Sequence, residues 1–257
     1  MTFFYAASVK CLATSLGLAF ALTFGAQAQK ALKIGVTSGS PPYVFSIEEG
    51  QGIDPDILSV IASKMGYRPV FMPVPFKRRS IILTDKKVDA VTFWTKPEGV
   101  TCYPGQPYRY WRNALFKVSR KEVPSAGAPM NRIGIFMGSE HLDEQLATVG
   151  IDHKNLQRIF TIKTAVRMLL HERLDGYIGD YPTVIYNLKA QDKEDAFKAE
   201  IQHFFPPAPQ RLCFATKDLA DTFDAALAAI IRDEPNIFSD ITNQYGLTER
   251  ITPPLPH

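Results

Sequence analysis

The chain has 257 residues, 46% of them hydrophobic and 21% charged, which is enough apolar material for a packed core. Beyond residue 28, 28 basic side chains face 26 acidic ones, a balance that excludes a nucleic-acid binder with a strongly basic face. The first 28 residues read as a secretory signal peptide: Lys10 precedes an apolar run over 12–24, and Ala26-Gln27-Ala28 supplies small residues for cleavage after Ala28. The alternative is an uncleaved anchor, but the run is shorter than the ~20 apolar residues a spanning helix needs. Cys11 has no lipobox before it, and no later stretch is long and apolar enough to cross a bilayer. The 229 residues that remain suit two lobes of ordinary size.

Leu32-Lys33-Ile34-Gly35-Val36 is a short β-branched strand, and Ser38-Gly39-Ser40-Pro41-Pro42 forces a loop after it. Asp54 as N-cap, Pro55 at the first helical position and apolar Ile57, Val60, Ile61 and Met65 predict a helix that Gly66 stops. A strand over 69–72, a helix over 79–85 and a strand over 88–92 follow. Alternating strands and helices imply a parallel sheet with right-handed crossovers, and ligands sit at the carboxyl ends of such strands. Pro41-Pro42-Tyr43 and Trp94-Thr95 fall at that edge.

Residues 115–118 read as a strand, and 121–129 form a connector bearing Pro, Gly and Ser. A fresh strand at Arg132-Ile133-Gly134-Ile135-Phe136, then Gly138-Ser139 and a helix to Leu146, begin a second lobe. Its helix over 164–170 and strand over 174–180 repeat the unit at 79–92. After Pro206-Pro207-Ala208-Pro209 come a strand over 211–215 and a helix over 219–232, and the stretch over 241–246 closes the chain. Cys102 and Cys213 remain after the leader, and in an oxidising compartment they either pair or stay as two buried thiols.

Ile34-Gly35-Val36, Pro41-Pro42-Tyr43, Gly52-Ile53-Asp54-Pro55-Asp56-Ile57, Val88-Asp89-Ala90 and the stretch from Tyr103 to Tyr108 together resemble the family 3 bacterial extracellular solute-binding proteins. Each motif alone is weak, and their order along nearly the whole mature chain is what is specific. The resemblance implies an α/β, two-lobed periplasmic-binding-protein fold of type II, each lobe a mostly parallel sheet flanked by helices, with a two-strand hinge. It divides the chain into lobe one over 29–118, lobe two over 119–212 and a return to lobe one over 213–257. It also implies a periplasmic monomer without cofactor or metal that delivers a small polar solute to an ABC permease in the inner membrane. By the same resemblance Cys102 and Cys213 fall near the hinge.

The residues that the resemblance brings to the site keep structural alternatives. Tyr43, stiffened by two prolines, either faces the solute or caps the core edge. Asp180 matches the aspartate that takes a ligand's ammonium group, and it also suits an N-cap before Tyr181-Pro182. Ser139, beside Gly138, would offer a hydroxyl and backbone N–H groups to a carboxylate, although Glu140, Asp143 and Glu144 crowd the same turns with negative charge. Thr95-Lys96-Pro97-Glu98-Gly99 lies at about the place where the family reads Thr-x-x-Arg, and the position that matches its arginine is Gly99, so the carboxylate clamp is missing. Lys96, Arg78, Arg79 and Arg112 are the substitutes within reach. Phe76-Lys77-Arg78 resembles the Pro-Trp-Lys-Arg start of a divergent branch, in which the aromatic and the arginine approach the cleft; Trp94 is a further aromatic there, or core.

Residues 1–257 contain no His-Glu-x-x-His, Gly-x-Ser-x-Gly, phosphate-cradling Gly-Lys-Ser/Thr or Cys-x-x-Cys pattern. A non-enzymatic receptor is therefore expected. The alternatives are a sensor or accessory subunit, or a cyclohexadienyl-dehydratase-like enzyme on the same fold using Glu140.

Overall fold

The computed structural model describes residues 29–37, 40–75, 78–93, 100–122, 130–137, 142, 146, 149–192, 195–247 and 251. In the first sheet β1 (Lys30–Val36) lies between β2 (Tyr67–Pro73) and β3 (Ala90–Phe93), parallel to both. The helices α1 (Ile53–Lys64) and α2 (Arg79–Thr84) make the crossovers that parallel neighbours require. Three further strands complete this sheet: β4 (Tyr103–Pro104), β5 (Arg109–Trp111) and β11 (Ala208–Phe214), the last antiparallel to β3, β4 and β5.

The second sheet has the order β10-β6-β9-β7-β8. Its strands are β6 (Asn113–Arg120), β7 (Ile133–Phe136), β8 (Leu156–Ile159), β9 (Gly176–Asp180) and β10 (Phe197–Phe204). β7 runs parallel to β8 and β9, and β6 is antiparallel to β9 and β10. Among the described residues two helices cover it, α3 (Ile162–Leu170) and α4 (Tyr181–Gln191).

Each sheet has its own apolar core. Ile34, Ile57, Ile61, Leu212 and Phe214 pack with Phe223, Leu227 and Ile230 of α5 (Lys217–Asp233) and Ile241 of α6 (Ile237–Gln244). Phe116, Ile159, Val166, Leu169, Tyr177 and Val184 fill one side of the second sheet, and Leu115, Ile133, Ile135, Leu142 and Ile178 the other. The apolar spacing at Phe223, Leu227 and Ile230 is the helical period that buries one face of α5.

The chain passes between the sheets twice, side by side. β5 pairs with β11 and β6 with β10, so an antiparallel ribbon joins the two sheets, interrupted at Arg112 on one strand and at 205–207 on the other. By sheet membership the passages fall at Arg112 and at 205–207, not at 118/119 and 212/213. The expected boundaries follow the apolar run at 115–118, but that run pairs with β9 and β10, and inter-strand pairing is non-local. The role expected of Asp54 is also corrected. Gly52 occupies the cap of α1 without a side-chain hydrogen bond, and Asp54 lies inside the first turn, buried.

Candidate functional site

The carboxyl end of β9 meets the ribbon at Asp180. Its Oδ2 accepts hydrogen bonds from the Thr183 N–H at 3.1 Å and the Thr183 hydroxyl at 2.7 Å, which caps α4 as the Asp-Tyr-Pro sequence dictates. Oδ1 accepts from the Arg112 N–H at 2.9 Å, and the Tyr181 N–H donates to the Arg112 carbonyl at 2.9 Å, so the cap of α4 is tied to the interruption of the ribbon. The carboxylate is buried, and among the described residues no lysine, arginine or histidine forms an ion pair with it. Burial pushes its pKa above the ordinary aspartate value, against the lowering effect of the Thr183 and Arg112 hydrogen bonds and the Arg109 charge.

Tyr43, from the loop after β1, reaches the same junction but is fully buried. Its ring meets Trp111 edge-on, with centroids 4.9 Å apart, and the Arg109 guanidinium lies 3.8 Å from the Tyr43 centroid and 4.1 Å from that of Trp111. This is the geometry of a desolvated cation–π contact. Arg109 also grips Asp54 bidentately, Nε to Oδ1 and Nη2 to Oδ2, the latter at 2.9 Å. Burial lowers the Arg109 pKa, but the charge and hydrogen bonds of Asp54 outweigh it and hold the guanidinium above its usual range. Trp111 Nε1 donates to Gln210 Oε1 at 2.8 Å, which fastens β5 to β11. Burial, then the nearby Asp180 charge, raises the pKa of the Tyr43 phenol. Facing Asp180 without a hydrogen bond of good geometry, that phenol stays protonated.

The expected residues are thus distributed unevenly. Tyr43 and Asp180, 137 positions apart, are brought to one junction. Arg78 is exposed at the start of α2. Arg79 is buried and donates through Nη1 to the Thr92 carbonyl; burial first of all lowers its pKa to about 10, while Tyr108 pulls it upward. Arg112 is half-buried with its guanidinium 5.2 Å from the Phe204 ring centroid. Phe76, Trp94, Thr95, Lys96, Gly99, Gly138, Ser139, Glu140, Asp143 and Glu144 lie outside the described residues. Cys102 and Cys213 are joined with Cα atoms 5.6 Å apart, inside an apolar cluster with Leu83, Val88, Val91 and Phe93.

The sequence reading offers Asp54 only as a helix cap and does not single out Arg109, Trp111 or Gln210. The available signal was an arginine at a strand position flanked by Tyr108, Tyr110 and Trp111, an aromatic setting that favours a stacked guanidinium over a solvated one. Across the lobes, Phe45 of the first meets Tyr186 of α4 edge-on, with centroids 5.3 Å apart. Among the described residues no three His, Cys, Asp or Glu side chains gather as a metal site.

Two α/β lobes joined by a two-strand ribbon, with a buried carboxylate and an aromatic at the junction, define the class of two-lobed binding proteins. The particular family follows from sequence: residues 32–246 match the bacterial extracellular solute-binding proteins, family 3, and the chain belongs to that family. No curated protein matches the chain in sequence. Solved structures carry the fold at low identity. An arginine third transport system periplasmic binding protein from Legionella pneumophila is 18% identical with a TM-score of 0.62, over 84% of this chain and 99% of that one. An ABC uptake transporter substrate-binding protein from Streptococcus pneumoniae with bound histidine gives 17% and 0.62, over 87% and 94%. A histidine kinase sensor domain with similarity to periplasmic binding proteins gives 17% and 0.64, over 88% and 99%.

Proposed function

We propose that this protein is a periplasmic receptor that closes on a small solute carrying a cationic group and delivers it to an ABC permease in the inner membrane. Asp180 carries the reading. A carboxylate buried between the lobes, held by two N–H groups and one hydroxyl, forms no ion pair among the described residues, and a bound cation would offset its desolvation. The solute-binding family, the protein of an arginine transport system and the protein with bound histidine support this chemistry. A ligand drives closure only by binding the closed form better than the open one, so recognition must be split between lobes. In this reading Tyr43, Phe76, Arg78, Trp94 and Thr95 serve from the first lobe, and Ser139 and Asp180 from the second. With Gly99 where an arginine would clamp an α-carboxylate, amines should bind better than free α-amino acids.

A thermal-shift screen of the mature protein against amino acids, amines, short peptides and organic acids tests the reading. A solute at 100 times its Kd adds ~2.7 kcal/mol of stability. Asp180→Asn, which keeps a good helix cap but removes the charge, should abolish the shift given by the best cationic solute. A best solute that is anionic, or one whose shift survives Asp180→Asn, overturns it. N-terminal sequencing of exported material should begin at Gln29; the full-length chain in the membrane fraction would contradict the periplasmic assignment. The likeness to a histidine kinase sensor domain favours sensing as the second reading. Finding permease and ATPase genes beside this one would support transport, and finding a kinase gene would support sensing.

A further inference from the structure

We propose that Phe45 and Tyr186 form a clasp that holds the lobes closed and so sets affinity without touching the solute. Phe45 stands on a stiff platform in the first lobe. Its N–H donates to the Gln51 carbonyl at 2.9 Å, and its other face stacks on Tyr245, centroids 5.8 Å apart and planes 21° from parallel. Tyr245 is itself fixed, because its hydroxyl donates to Asp56 Oδ2 at 2.6 Å and accepts from the Gly52 N–H at 3.2 Å. Three parts of the first lobe thus converge on one ring: the loop over 40–52, the start of α1 and the end of α6.

Tyr186 belongs to the other lobe. It lies on α4 six residues past the Asp180 cap, about 9 Å along the helix axis, so one rigid element presents both the carboxylate and the clasp ring. The two rings meet at 5.3 Å and 74°, the edge-to-face arrangement that the aromatic quadrupole favours. The chain connects the lobes through the ribbon at Arg112 and 205–207, to which neither ring belongs, so rotation about the ribbon moves one ring relative to the other. Phe45 is still 37% exposed, so losing the contact leaves its own lobe intact.

An aromatic pair of this kind shifts the closed-to-open ratio by about 2- to 12-fold. When the open form dominates, apparent affinity for any solute that binds the closed form moves by the same factor. That consequence rests on the receptor reading, but the clasp can be tested in solute-free protein, so the two can fail separately. Dyes on Ser63→Cys and Lys189→Cys, exposed positions in opposite lobes, report the ratio by single-molecule energy transfer with the native cysteines oxidised. Phe45→Ala and Tyr186→Ala should each lower the closed fraction within the stated range, the double variant no further than the larger single effect, and Tyr186→Phe should retain it. A wild type with no detectable closed fraction, closed fractions that do not move, or two single effects that add would each overturn the clasp.

Discussion

Asp54→Asn is the sharpest probe of what fixes the first lobe against the ribbon. The carboxylate is 5% exposed and its partner Arg109 is 1% exposed, so both ions were removed from water and each depends on the other. Asparagine preserves the shape and one acceptor but leaves the guanidinium buried without its counter-charge, between Tyr43 and Trp111. Removing one member of such a pair costs about 3–5 kcal/mol. At ~2–4 °C per kcal/mol for a protein of this size, the melting temperature should fall by about 6–20 °C. Urea unfolding followed by near-ultraviolet circular dichroism checks the free energy, and an unchanged m value would confirm that stability rather than compactness moved. The double variant Asp54→Leu with Arg109→Met should recover most of the loss, because an apolar pair of similar volume often matches a buried ion pair. A single-variant cost below about 1 kcal/mol would refute the argument, since that is the worth of a solvated pair.

Other outcomes are equally direct. Burial holds the Asp180 pKa above its unfolded value, so between the two the folded chain binds more protons, and the stability this group contributes declines as pH rises through that window. Asp180→Asn should remove this slope in urea unfolding measured against pH, while affinity of the wild type for a cationic solute should rise across the same window; an unchanged slope refutes the assignment. Intact mass under non-reducing conditions should show Cys102 and Cys213 bridged, and reduction should cost up to ~4.7 kcal/mol for a closed loop of 111 residues; two freely alkylated thiols would contradict this. Gly52 has φ +134°, and a Cβ there would lie 2.3 Å from the Tyr43 carbonyl oxygen. Gly52→Ala should therefore cost at least ~1–3 kcal/mol in the same unfolding assay, and a neutral effect would show that the loop yields.

The elements that could be read from sequence are those whose signals are local. The helix ended by Gly66, the α4 cap at Asp180 and the strand at 176–180 all lie where neighbouring residues place them. Asp followed by Pro is a good local helix start, but the role of Asp54 is set by a guanidinium 55 positions away. From sequence Tyr43 reads as an aromatic at the strand edge that faces the solute or caps the core, and its full burial depends on Arg109 and Trp111 arriving from the ribbon. The boundaries shifted for the same reason: an apolar run states that a strand exists, and only its hydrogen-bonded partners state which sheet owns it.

The two passages of the ribbon have a consequence for the order in which the protein can form during synthesis. The second sheet is built from one unbroken stretch, 113–204, and is complete as soon as β10 has been made. The first sheet is not: β11, which bonds to β3, β4 and β5, comes from the last fifth of the chain, followed by the helix that carries Phe223 and Leu227. Until then the cluster that buries Leu32, Ile34 and Ile57 lacks every member from Leu212 onward. The earliest residues to emerge are thus among the last to settle, and a nascent chain halted near residue 204 should hold a protease-resistant C-terminal fragment behind an N-terminal half that is digested.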